Sequence, residues 1–185
     1  MSDVHTPQQR HANMVAIHGK NTKPEMVVRK WLWRHGYRYR LNHPLLPGKP
    51  DIVMRKYRTC IFVNGCFWHG HHIHLQFDDL HFTIESSDCC KIPKTNTEFW
   101  VAKIRRNQER DAEVQHELAL MGWHSITIWE CELKTAKREL TLESLAFTLN
   151  KIFLMNHTVK RYEIPEEKPM MAAEDILMGE IRLID

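Results

Sequence analysis

No apolar run in the 185-residue sequence approaches the roughly 20 residues that a membrane-crossing helix needs. The N-terminal stretch also lacks the apolar segment that marks a signal peptide. A soluble intracellular chain is therefore expected, and its five cysteines are then thiols or metal ligands rather than disulfides. Internal repeats and low-complexity tracts are absent as well. That leaves one globular domain, long enough to bury a core without covalent staples. Acidic residues are scarce in the first third: residues 1–60 hold only Asp3, Glu25 and Asp51 against twelve Lys and Arg, a net +9, while the rest of the chain carries −6. On a chain of net charge +3, this asymmetry points to a polyanionic partner.

What the sequence does concentrate is one stretch, Gly65-Cys66-Phe67-Trp68-His69-Gly70-His71-His72. It follows Cys60-Ile61-Phe62-Val63, which reads as a short buried strand. A soft metal ligand, two aromatics and three imidazoles at a strand end suit a catalytic or metal-organised loop better than a core. Around it the pattern predicts an N-terminal arm over residues 1–20, then a helix. Thr22 is its N-cap, Pro24 and Glu25 lie in its first turn, and Gly36 stops it. Tyr37–Leu41 alternates as a strand, Leu46–Pro50 is a turn, Asp51–Met54 a second strand, Arg55–Arg58 a hairpin turn and residues 59–63 a third strand. Residues 75–93 read as an irregular acidic insertion. A long helix runs from Thr97 to Gly122, Trp123–Trp129 is a fourth strand, residues 141–155 form a last helix, and 156–185 are a tail without a clear core. The order α-β-β-β-α-β-α implies an α/β domain over residues 21–155, with a mixed central sheet flanked by helices.

The hairpin between the second and third strands brings Asp51 close to Val63–Cys66. Glu25, the loop imidazoles and Asp111 could converge with Asp51 on one hard cation, and Mg²⁺ suits a sparse acidic site because it keeps several waters. In phosphodiester cleavage such an ion offsets charge at phosphorus and acidifies the attacking water, whose proton His69 is suited to take. Cys66 and His71, with Cys89, Cys90 and Cys131, offer four thiols and an imidazole, from which three thiolates and the imidazole would make an allowed tetrahedral zinc set. The spacing is not that of a finger or ribbon. Other residues have structural readings: Cys60, Trp31, Trp123 and Trp129 as core, His72, His74 and His81 as solvated surface. Phe67 and Trp68 are adjacent and cannot share a strand face. In a loop beside a basic face they suit insertion between stacked bases.

Several short blocks then stand in a familiar order: Asp3-Val4-His5, Asn13-Met14, Leu46-Pro47-Gly48-Lys49-Pro50-Asp51, Gly65-Cys66-Phe67-Trp68-His69, Thr97-Glu98-Phe99-Trp100, Asn107 with Arg110-Asp111, and Trp129-Glu130-Cys131. Across residues 3–133 they resemble the very-short-patch-repair (Vsr-type) DNA mismatch endonucleases. The resemblance implies a restriction-endonuclease-like fold, a variant of the PD-(D/E)xK nucleases without their lysine. It implies that Asp51 bridges Mg²⁺ ions with help from the Val63 backbone carbonyl. His69 would be the general base, Glu25 and Asp111 supporting groups, and Cys66, His71 and Cys131 ligands of a structural zinc. Phe67, Trp68 and Trp100 match an aromatic wedge, and Met14 and Ile17 match an arm segment that presses on the opposite groove. The implied reaction is a nick 5′ of the thymine in a T:G mismatch left by deamination of 5-methylcytosine. The implied actor is a cytoplasmic, nucleoid-associated bacterial monomer on double-stranded DNA, with mismatch-repair proteins as candidate further partners.

Two departures from the family pattern bear on the site. Asn64 occupies a catalytic position where the family usually has histidine, which places the base role on His69. The fourth zinc ligand usually follows closely on the histidine, but Ile73 and His74 stand there. One of Cys89 and Cys90 is expected instead, Cys90 being favoured because it lies nearer the Thr97 block and His74 being the weaker candidate. Two alternatives stay open: a restriction-type nuclease on matched duplex, and a catalytically silent DNA-binding module. Asp51 with His69 argues against the second, and the aromatic pair against the first.

Overall fold

The structure, a computed structural model, describes residues 6, 8, 9, 12, 15, 20–77, 82–85 and 88–157, with 74–77 and 82–85 as backbone only. Met14 and Ile17 of the arm, His81, and the tail beyond residue 157 lie outside the described residues. Helix α1 is Lys23–Arg34. It starts where it does because Thr22 stays extended and its hydroxyl accepts the Glu25 N–H at 3.4 Å, while Pro24 lacks an N–H that would have been an orphan there. It ends where Gly36 enters the left-handed region at φ +83°, as a C-terminal glycine does.

Strand β1 is only Arg40–Leu41, shorter than the predicted 37–41. Tyr37 and Tyr39 pack against the core instead of joining the ladder, and pairing is limited to Arg40 with Val53 and Leu41 with Ile52. β2 (Ile52–Met54) and β3 (Thr59–Asn64) form an antiparallel pair. Between them lies a 3₁₀ turn, Arg55–Tyr57, closed by Arg58 at φ +46°.

The insertion is not irregular throughout. It holds an antiparallel hairpin, β4 (His74–Phe77) with β5 (Phe82–Glu85), separate from the main sheet. Both segments alternate polar and apolar residues, but each is only four residues long, and the acidic residues between them mask the pattern. Helix α2 (Thr97–Leu120) then crosses over to β6 (His124–Trp129), which runs parallel to β3 with Asn64 level with Trp129. A 3₁₀ turn at Glu130–Leu133 leads into α3, Thr135–Asn156, which starts well before the predicted residue 141. The main sheet order is β1-β2-β3-β6.

Strand alternation decides which helix covers which face. Ile52, Met54, Ile61 and Ile128 meet Val28 and Leu32 of α1 and Leu142, Leu145 and Leu149 of α3. Val53 and Cys60 point the other way, onto Leu118 of α2. Each such aliphatic side chain contributes about 1.5–3 kcal/mol by leaving water, so both sheet faces are closed by helices. Cys60 is fully buried, and burial pushes its thiol up to about 12. A third cluster of Cys66, Ile73, Cys90 and Ile104 lies under the loop after β3. No helix among the described residues is long and apolar enough to cross a membrane.

Candidate active site and metal centre

Pairing of Ile52 with Ile61 sets Asp51 alongside the end of β3, where its Oδ2 accepts the Val63 N–H at 2.8 Å. A cleft of about 750 Å³ opens at this end of the sheet, lined by Glu25, Asp51, Asn64, Trp68, His69 and Asp111 among others. Burial pushes the Asp51 carboxyl above its ordinary value and Glu25 adds to the rise, while the Val63 N–H and His69 work against it. A desolvated carboxylate beside a second acid is an arrangement that a bound cation relieves.

Two of the other three acids lining the cleft are already engaged, while the third, Glu130, is exposed. Glu25, 4% exposed, accepts the Asn21 N–H at 2.9 Å and the Thr22 hydroxyl at 3.1 Å, closing the start of α1. Asp111 Oδ2 meets His69 Nδ1 at 2.5 Å. The expectation that Glu25, the imidazoles and Asp111 converge with Asp51 as ligands of one cation is thus met only in that they share a cleft. Among the described residues, no three carboxylate or imidazole donors here lie within 4.8 Å of one another. The Asp51 carboxylate with backbone oxygens and water still suits Mg²⁺. The bond from Asp111 to Nδ1 leaves Nε2 as the nitrogen with which His69 can exchange a proton. Asn64, 8% exposed, lines the same wall without a titratable group.

A second group gathers beside the loop. Cys66, His71, Cys89 and Cys131 place one donor atom each within 4.8 Å of the others. From His71 Nδ1 the sulfurs lie at 3.7 Å (Cys66), 3.4 Å (Cys89) and 3.3 Å (Cys131). Tetrahedral zinc with Zn–S of about 2.3 Å and Zn–N of about 2.0 Å requires N···S edges of roughly 3.5 Å, so the donors fit that ion. The fourth member is Cys89, not the Cys90 favoured by spacing. Cys90 packs in the cluster with Ile73 and Ile104, its sulfur directed at the Phe67 carbonyl at 3.9 Å. His74, the weaker candidate, begins β4, and its side chain is outside the described part. Burial pushes the Cys66 thiol up to about 12, raises Cys131, and lowers His71. Trp129, expected as plain core, stacks on His71 at 4.1 Å between ring centres, because β6 ends level with β3.

Phe67, Trp68 and Trp100 form one aromatic knot, with ring centres 5.1 Å, 5.1 Å and 6.3 Å apart. All three are half-buried, and Trp68 borders the cleft. The rings are therefore neither sunk in the core nor free. Lys49 and Arg110, which sequence reading quoted without a role, add positive charge to the cleft wall. Their signal was their place within two residues of Asp51 and Asp111. Asn107 also had no assigned role; its amide donates to the Trp68 carbonyl at 2.7 Å.

The sequence pattern of the family described as DNA mismatch endonuclease Vsr matches residues 2–75. The DNA mismatch endonuclease Vsr of Escherichia coli (strain K12) is 38% identical over 151 residues, spanning 82% of this chain and 87% of that protein. The chain belongs to the Vsr family. Other Vsr-like relatives are the type II nicking enzymes V.NmeAIP of Neisseria meningitidis, 46% identical over 134 residues (72% of this chain, 86% of that one), and V.XorIIP of Xanthomonas oryzae, 38% identical over 133 residues (72% and 88%). Vsr membership carries with it the restriction-endonuclease-like fold, of which the mixed sheet and its flanking helices are the form here.

Proposed function

We propose that this Vsr-family protein is a DNA endonuclease that nicks duplex DNA 5′ of the thymine in a T:G mismatch, with catalytic Mg²⁺ and structural zinc. The observation that carries the reading is the His69–Asp111 pair facing the same cleft as Asp51, with Trp68 of the aromatic knot on its border. A bound Mg²⁺ would supply charge neutralisation at the phosphorus and acidification of the attacking water. Asp51 would hold that ion with backbone oxygen near Val63. His69 Nε2 takes the proton of the water while Asp111 fixes the ring through Nδ1. Lys49 and Arg110 are placed to meet phosphate oxygens. Phe67, Trp68 and Trp100 offer π-faces that replace base stacking where the mismatch has weakened the duplex. Cys66, His71, Cys89 and Cys131 would bind the zinc, which would tie the loop to the 3₁₀ turn after β6 and to the chain beyond the hairpin.

The test compares T:G-mismatched with fully paired duplex, with and without Mg²⁺. The expected result is a single-strand nick in the mismatched duplex alone and only with the metal. Equal cutting of both duplexes would replace this reading by a restriction-type nuclease. Binding without any cutting would replace it by a silent DNA-binding module. Trp68→Ala is expected to weaken T:G binding by about 1–3 kcal/mol in a fluorescence-anisotropy titration, the range for loss of one base–aromatic stack. Unchanged affinity would make the ring structural.

A further inference from the structure

Helix α2 presents Ile104, Asn107, Gln108 and Asp111 at spacings of three, four and seven, so all four share one face. That face lies against the loop after β3. Asn107 holds the Trp68 carbonyl and Asp111 the His69 ring. Gln108 does something different: its Nε2 donates to the Gly70 carbonyl at 3.1 Å and to the Ile73 carbonyl at 3.2 Å. Those carbonyls are the two ends of a tight turn, Gly70-His71-His72-Ile73, closed by the Ile73 N–H on the Gly70 carbonyl at 2.9 Å. A side-chain amide nitrogen carries two hydrogens, and here each has its own acceptor.

The turn is one that needs holding. His72 sits at φ +54°, a conformation costly for a residue with a Cβ. Gly70, at φ +63°, approaches α2 so closely that a Cβ there would lie 2.5 Å from Ile104 Cγ2 and 2.7 Å from Gln108 Nε2. The first corner residue of the turn is His71, the imidazole of the zinc cluster, and the residues just before it are Trp68 and His69. We propose that Gln108 is a positioning residue that locks this turn, so that His71 is held ready for zinc while Trp68 and His69 keep their places at the cleft. The proposal rests on the zinc reading above for its metal arm, on the proposed nicking activity for its kinetic arm, and on the hydrogen bonds alone for its exchange arm.

Two variants of similar size separate the donor from packing. Gln108→Leu keeps bulk and loses both donors, and Gln108→Glu puts an acceptor against two carbonyls. In both, backbone amide exchange over residues 66–73 should quicken at least tenfold, with the exchange of β2, β3 and β6 unchanged. Zinc should pass to a chelator about 10–100-fold faster than from wild type, the scale on which outer groups tune a metal site. Across a titration of mismatched DNA, kcat should fall by a larger factor than KM rises. Wild-type exchange over 66–73 in Gln108→Leu would overturn the proposal, as would protection in Gln108→Glu equal to wild type. If the wild-type protein bound no zinc, the zinc reading would fail while the exchange arm still decided the role of Gln108.

Discussion

Asp51→Asn should abolish nicking, by about a thousandfold or more, while leaving affinity for the T:G duplex close to wild type. A cation held at a phosphoryl group supplies several kcal/mol of charge stabilisation, and each 1.36 kcal/mol is a factor of about ten in rate. Unlike Glu25 and Asp111, Asp51 is not committed to a helix cap or to an imidazole, and unlike Glu130 it is not exposed. Asparagine is the informative replacement because the carboxylate also accepts the Val63 N–H. An amide oxygen can still take that bond, whereas alanine would strand the donor at a cost of about 1–3 kcal/mol and confuse folding with catalysis. A second readout follows from protonation. Burial raises the Asp51 pKa in the folded chain, so this group favours folding at pH below its unfolded value and loses that contribution as pH rises through the folded one. At neutral pH the ionised, metal-free carboxylate therefore works against the fold. Metal-free Asp51→Asn should melt above metal-free wild type at pH 7, with the gap closing in acid, and Mg²⁺ should raise the melting temperature of wild type only. Nicking within tenfold of wild type, or equal stabilisation of both proteins by Mg²⁺, would remove Asp51 from the metal site.

What was legible beforehand was whatever depends on local chemistry. Thr22, Pro24, Glu25 and Gly36 bracket α1 because caps are short-range, and Asp51 and His69 fall at strand ends that the hairpin must bring together. The two-residue β1 was overread because alternating Tyr and Arg look alike whether they join a ladder or pack on a core. Short β4 and β5 were missed because two four-residue alternations separated by acids barely exceed noise. The start of α3 was missed because the 3₁₀ turn at Glu130–Leu133 has no strong punctuation. Within the site, Asp111 was found but not its partner, since the pairing with His69 spans 42 positions. Gln108 was invisible for a plainer reason: its acceptors are main-chain carbonyls, and a polar residue on a long helix reads as solvated. Trp129 looked like core because nothing local says that its strand ends opposite the loop.

Adjacent cysteines set the sharpest limit on sequence reading, and they also give the cleanest test of the metal centre. Cys89→Ala should cost more than about a hundredfold in zinc affinity, beyond what outer groups impose, whereas Cys90→Ala should retain one zinc per chain by native mass spectrometry. Both side chains are thiols one residue apart, so their chemistry in isolation is the same; only the fold separates Cys89, which faces the cluster, from Cys90, which packs on Ile73 and Ile104. Cys89 lies 3.4 Å from His71 Nδ1, while Cys90 is 2% exposed among aliphatic neighbours and should lose only about 1 kcal/mol of packing on truncation. The metal-free cluster is unfavourable by itself, because it crowds desolvated thiols around a buried imidazole. Burial raises Cys66 and Cys131, so these thiols hold their protons until the ion arrives. Zinc uptake should accordingly release protons and weaken as pH falls. Since structural zinc sites can contribute about 10–16 kcal/mol of apparent binding free energy, chelation should expose residues 65–73 and 88–92 to amide exchange and lower the melting temperature. The same treatment should leave Cys89→Ala, already metal-poor, nearly unchanged. Zinc kept by Cys89→Ala and lost by Cys90→Ala would reverse the assignment, and an unaltered wild-type melt after chelation would remove zinc from the fold altogether.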